Sequence, residues 1–180
     1  MFFIKNKIMN FKKFATIVFI LILITVFISF LFFPIKKNKI YRPKKEAINN
    51  FEIEGTLAFF NKKNKNLISK INVEIANNDF EKARGLMHRR FMPENVGMVF
   101  ISDEAKQQSF WMKNTHIALD IIFVDVNSKI VQISANTVPY SEKSIPCKKK
   151  AKYVIEVNEY FCVNNNISVG DSIFLKKIKF

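Results

Sequence analysis

Phe14 to Phe33 read FATIVFILILITVFISFLFF, twenty residues without a charge and apolar on every side of a helix. A helix of that kind has no solvent-facing stripe and does not suit the surface of a small domain. At about 1.5 Å per residue it would extend roughly 30 Å, the thickness of a bilayer's hydrocarbon core. Lys5, Lys7, Lys12 and Lys13 precede the run, and Pro34, Lys36 and Lys37 end it. The pattern predicts a single transmembrane helix over 14–33 after a basic tail over 1–13. A cleaved signal peptide is the rival, but FLFFPIKK lacks the small-residue cleavage pattern. The short basic leader resembles an export signal. It implies a membrane-anchored chain whose globular domain lies on the periplasmic or extracellular side, although four lysines before the span against six Lys/Arg after it leave the positive-inside bias ambiguous or even inverted. Secretion after cleavage is the alternative.

Residues 34–50 form a basic linker without apolar periodicity, which leaves 51–180 to fold. Of the net charge of +14, residues 1–50 hold ten Lys/Arg and one Glu, and 51–180 hold nineteen Lys/Arg against fourteen Asp/Glu. The excess therefore flanks the apolar run instead of marking one face of a domain. No nucleic-acid partner is expected; the membrane is the partner of 14–33.

FEIEGTLAFF (51–60) and LISKINVEIA (67–76) read as strands joined by a polar turn. NNDFEKARGLMHRRF then changes period: Asn78 and Glu81 fit a capping box, and Phe80, Ala83 and Met87 share one helical face, a stripe that Leu86 widens. GMVFIS (97–102), QSFWMKN (108–114), LDIIFVDV (119–126), KIVQIS (129–134) and AKYVIEV (151–157) read as further strands. NEYFCVNNN (158–166) allows one or two helical turns ended by a left-handed Asn166. ISVGDSIFLKK turns at Gly170-Asp171 into a last strand. Consecutive strands favour antiparallel pairing, so the expected fold is mainly β: an antiparallel sandwich or distorted barrel with one or two short helices.

Common catalytic signatures are missing. Four glycines in the chain nearly exclude phosphate-cradling loops, and neither His88 nor His116 belongs to an H-E-x-x-H pair. No motif requires a metal or a cofactor. Cys147 and Cys162 are too far apart for a C-x-x-C motif; they could pair as a disulfide or stand as separate thiols. The concentration of polar and aromatic residues around FWMKNT supplies the candidate ligand-binding set: Arg84, Trp111, Lys113, Asn114 and Asp120. A lysine and an arginine suit a carboxylate or phosphate, and Trp111 offers a ring to stack on a ligand or sugar face. Three functions follow. The first is an envelope-anchored binding or accessory module for a small anionic or glycan ligand. The second is an enzyme using Lys113 or Asp120 as acid or base. The third is a structural or assembly partner in which FWMKNT packs the core and Lys113 or Arg84 pairs with Asp120.

The ordered motifs KARGLM, GMVF, FWMKNT, LDIIF, AKYVIEV and VGD, over about 71–175, resemble the bacterial and archaeal family known as domain of unknown function 192. The resemblance implies a compact β-rich fold, often behind an export signal, and no established reaction. The family's proline before LDI is Ala118 here, and its glycine at the end of the last helix is Asn166.

Overall fold

A computed structural model describes residues 11–31 and 51–178. The basic tail up to residue 10, and the linker expected over 34–50, lie outside the described residues. Helix α1 runs Phe11–Leu31. Its side chains are described for residues 14–25 and are exposed. Among the described residues no helix is long and apolar enough to cross a membrane. The span expected over 14–33 extends beyond them.

The domain orders its elements as β1 (Gly55–Phe60), β2 (Leu67–Ala76), α2 (Asp79–Arg84), β3 (Val96–Lys106), β4 (Ser109–Phe110), β5 (Leu119–Val124), β6 (Ile130–Ser134), β7 (Ile145–Pro146), β8 (Ala151–Asn158), α3 (Phe161–Asn164) and β9 (Ser172–Lys177). Seven strands make one sheet in the order β6-β5-β8-β3-β2-β1-β9, and β4 pairs with β7 in a separate two-stranded ribbon. Mainly β is therefore correct, but the expected antiparallel sandwich or barrel gives way to a single mixed sheet. β2 and β3 run parallel, with Val73 opposite Gly97 and Ile75 opposite Val99. Parallel neighbours need a crossover, which the segment containing α2 supplies. The sheet is not a closed barrel: its edges meet at an isolated bridge between Lys129 and Ser172, beside a bond from the Gly170 amide to the Ile130 carbonyl.

Both faces of the sheet are covered, which explains why LDIIFV is apolar without alternation. One face gathers Leu57, Phe59, Ile71, Val73, Val99, Ile122, Val124, Ile155 and Val157 beneath Phe161 and Cys162 of α3. The other gathers Met98, Phe100, Leu119, Ile121, Phe123 and Val154 beneath Leu86, Met92, Met112 and Cys147. Phe59 and Phe123 are wholly buried, and each such side chain contributes about 1.5–3 kcal/mol of transfer free energy. Cys147 and Cys162 are free and buried, each in the cluster on its own face of the sheet, so the structure has the two independent thiols and not the disulfide.

Two local expectations also change. Helix α2 buries none of its residues, and Phe80 is 73% exposed, so the stripe of Phe80, Ala83 and Met87 does not enter the core. The segment docks instead through Leu86, one residue past Gly85. The strand expected over 108–114 is reduced to Ser109–Phe110. Beyond it the chain turns: Asn114 takes φ +55, and its carbonyl accepts the His88 amide at 2.9 Å.

Candidate functional site

The site starts from how α2 begins and ends. Asn78 accepts the Glu81 amide at 2.9 Å, and the Glu81 carboxylate accepts the Asn77 amide at 3.0 Å and the Asn78 amide at 3.4 Å. These bonds satisfy amides that a helix start leaves free. The Asn77 amide is the main reason the Glu81 carboxyl is held below its ordinary range. After six residues Gly85 takes φ +48, a conformation that side chains resist, and ends the helix. A Cβ on Gly85 would meet Cζ of Phe100 at 3.2 Å and stand 4.0 Å from Oε2 of Glu156. Glycine at this position thus lets the helix end pack closely on Phe100, with Glu156 just beyond.

Glu156 belongs to β8. In its row of the sheet it stands between Met98 of β3 and Ile121 of β5, both buried and apolar. Glu156 is itself 5% exposed, and it makes no hydrogen bond or ion pair with any described residue. All fully sealed side-chain nitrogen and oxygen atoms among the described residues have partners. The carboxyl of Glu156 therefore spends its small residual exposure on the cleft that it lines. Burial pushes its pKa up to about 8, because a carboxylate between two apolar neighbours loses its hydration and gains no counter-charge. At neutral pH the group is a hydrogen-bond donor as well as an acceptor.

The cleft has a volume of ≈ 370 Å³ and lies between α2, β3, β4 and β8. Its apolar wall is Leu86, Met87, Phe100, Phe110 and Trp111; its polar lining is Lys82, Arg84, Ser102, Gln108, Ser109, Thr115 and Glu156. Phe110 is held edge-on between Phe100 and Phe123, with ring centroids 5.0 and 6.0 Å away. Arg84 is exposed at the rim, and its guanidinium pairs with no described residue. Arg89, by contrast, forms a two-pronged bond to Glu74 at 2.6 and 2.7 Å and lies 4.2 Å from the Phe51 ring, which fixes this segment to β2. Glu156 is the one carboxylate of the lining, so the cleft lacks the pair of carboxylates that glycoside hydrolysis ordinarily uses. A larger hollow of ≈ 660 Å³ lies against Arg90, Asn158 and Tyr160. There the Asn158 amide is already bonded to the Met92 and Pro93 carbonyls, and no buried group is left open.

Of the five residues expected from the sequence, the structure brings Arg84 and Trp111 together on this cleft. Lys113 lies just outside it, 5.1 Å from the centre of the Trp111 ring and 3.5 Å from the Glu142 carboxylate. Asn114 serves the turn. Asp120 is buried elsewhere: Oδ1 accepts the Asn136 amide at 3.0 Å and Oδ2 accepts the Cys162 amide at 2.9 Å. Among the described residues neither Lys113 nor Arg84 pairs with it, and neither Lys113 nor Asp120 lines the cleft over Glu156. Burial pushes the Cys162 thiol well above its ordinary range, and the Asp120 carboxylate adds to the effect. Sequence reasoning missed Glu156. The signal was a single acid inside AKYVIEV, a strand otherwise apolar from Val154 to Val157.

The family model for DUF192, described as an uncharacterized ACR, matches residues 59–175. A proposed transcription regulator from Sinorhizobium meliloti 1021 has a similar structure: 29% identity, a TM-score of 0.66, and coverage of 69% of this chain and 95% of that one. A protein of unknown function from Novosphingobium aromaticivorans DSM 12444 is similar at 28% identity and a TM-score of 0.62, covering 73% of this chain and 98% of that one. No curated protein matches the chain.

Proposed function

The chain belongs to the DUF192 family, and from that premise we propose that it is a membrane-tethered binding module whose ligand, a small anionic molecule or a glycan, occupies the cleft over Glu156. One observation carries the reading: a buried carboxyl that pairs with no described residue forms part of a cleft whose rim holds an arginine with no partner among the described residues and an exposed tryptophan. Buried polar groups are nearly always bonded, so an open one in a cavity marks a place for a partner from outside. Arg84 supplies the charge for an anion, and Trp111 supplies a ring face for a sugar or an aromatic body.

The tether rests on the uncharged run 14–33 and on helix α1, which runs Phe11–Leu31 and overlaps most of it. The short basic leader before it resembles an export signal, and an exported domain would place the ligand in the cell envelope. Thermal unfolding of the full-length chain in detergent, with a panel of sugars and anions, tests the binding role. A ligand raises Tm by mass action in the wild type and less in Arg84→Ala. No shift across a broad panel contradicts it. Retention in the membrane fraction after alkaline carbonate washing tests the tether; release into the supernatant contradicts it.

A further inference from the structure

The two ends of the cleft differ in chemistry. At the rim, Arg84 offers a permanent positive charge and Trp111 an apolar ring, 47% exposed. At the inner end, Glu156 forms part of the lining, beside Gly85 and Phe100. A ligand that satisfies both ends needs an anionic group, a ring-sized body and a neutral acceptor on the far side. A second negative charge beside Glu156 would be repelled or desolvated, whereas a carbonyl oxygen would accept its proton.

We infer that Glu156 enters this site as a hydrogen-bond donor and selects acidic N-acyl amino sugars, with the sugar's carboxylate at Arg84 and its acyl carbonyl at Glu156. The inference rests on the binding reading above and deepens it. The volume of ≈ 370 Å³ falls within the range of about 300–1,000 Å³ typical of small-molecule sites, at the end suited to one sugar ring. The groups that face Glu156 leave its proton in place. Its β3 and β5 neighbours in the row are Met98 and Ile121, and the remaining β3 contributions are Phe100 and Ser102. From β4 come Ser109 and Phe110, and from α2 the only charged groups are Lys82 and Arg84. Neither cation offsets the burial that holds the proton on Glu156.

Trp111 is the chain's single tryptophan, so its fluorescence reports on this cleft alone. The test titrates the full-length chain in detergent with N-acetylmuramic acid, with N-acetylglucosamine, which lacks the carboxylate, and with muramic acid, which lacks the acyl carbonyl. N-acetylmuramic acid is expected to give a saturable change and to bind at least about tenfold more tightly than either of the others. Raising the pH from 6.5 to 9.5 weakens its binding by about 30-fold as Glu156 loses its proton, while arginine keeps its charge. Glu156→Gln keeps an N–H donor and holds its affinity across that range; Glu156→Ala loses it throughout. Wild-type binding that ignores pH and survives Glu156→Ala overturns the role of Glu156 and leaves the cleft as a binding site. Equal binding of the three sugars overturns the selectivity. No saturable change with any of them, at either pH, overturns the inference; if the thermal panel is also flat, the binding reading falls with it.

Discussion

Gly85, at the end of α2, stands over Glu156 of β8 so closely that a Cβ at position 85 would reach within 4.0 Å of the carboxyl oxygen. The helix end and the strand come together across the face of the sheet that the crossover segment covers. The residue that ends the helix thereby also lines the cleft.

Gly85→Ala therefore acts on both. At φ +48 a side chain is strained, and Cζ of Phe100 stands 3.2 Å from the new Cβ. Strain of that kind costs about 1–3 kcal/mol. Denaturant unfolding is expected to show a loss in that range, and ligand-induced changes in Trp111 fluorescence are expected to weaken in the fraction that remains folded.

Glu156 makes stability depend on pH. Its folded pKa, about 8, lies above the ordinary 4.5, so between those values the folded chain holds a proton that the unfolded chain has lost. Its contribution is fully present below pH 4.5 and is lost as pH rises through 8. The slope is at most about 1.4 kcal/mol per pH unit for one group. Urea midpoints measured from pH 5 to 9 should fall more steeply in the wild type than in Glu156→Gln, where this component is gone.

Asp120 holds two backbone amides, those of Asn136 and Cys162, away from the cleft over Glu156. Asp120→Ala leaves the Asn136 and Cys162 amides without their acceptor, at a cost of about 2–4 kcal/mol. Chemical denaturation checks this. At temperatures where the variant is folded, its ligand affinity should match the wild type.

Lys113→Ala should cost little. Its pair with Glu142 is solvent-exposed on both sides, at 40% and 65%, and such pairs contribute about 0–1 kcal/mol. The visible effect should be a red-shifted Trp111 emission, because the ammonium packed against that ring is gone. An unchanged spectrum contradicts the packing.

The parts of this fold that show in the sequence are those made by neighbours along the chain. Asn78 and Glu81 meet within one helical turn, so their capping box can be recognised from spacing alone. The left-handed Asn166 at the end of the α3 turn, φ +56, and the turn at Gly170 are equally local. What stayed hidden depends on distant segments. The parallel register of β2 and β3 follows from a crossover, and strand patterns carry no direction. The Phe80 stripe has the spacing of a buried helix face, but a six-residue helix anchored through Leu86 does not have to bury it. Asp120 looked like chemistry beside FWMKNT until the fold brought the Asn136 and Cys162 amides to it. Glu156 was one acid in a β pattern; only the row formed with Met98 and Ile121, and the glycine above it, make it a site.

The most direct measurement is a ¹³C NMR titration of the Glu156 side-chain carboxyl in the full-length chain, assigned by the signal lost in Glu156→Gln. The account predicts a midpoint near 8 that moves higher when N-acetylmuramic acid is bound. A midpoint near the ordinary 4.5, unmoved by the sugar, would contradict it.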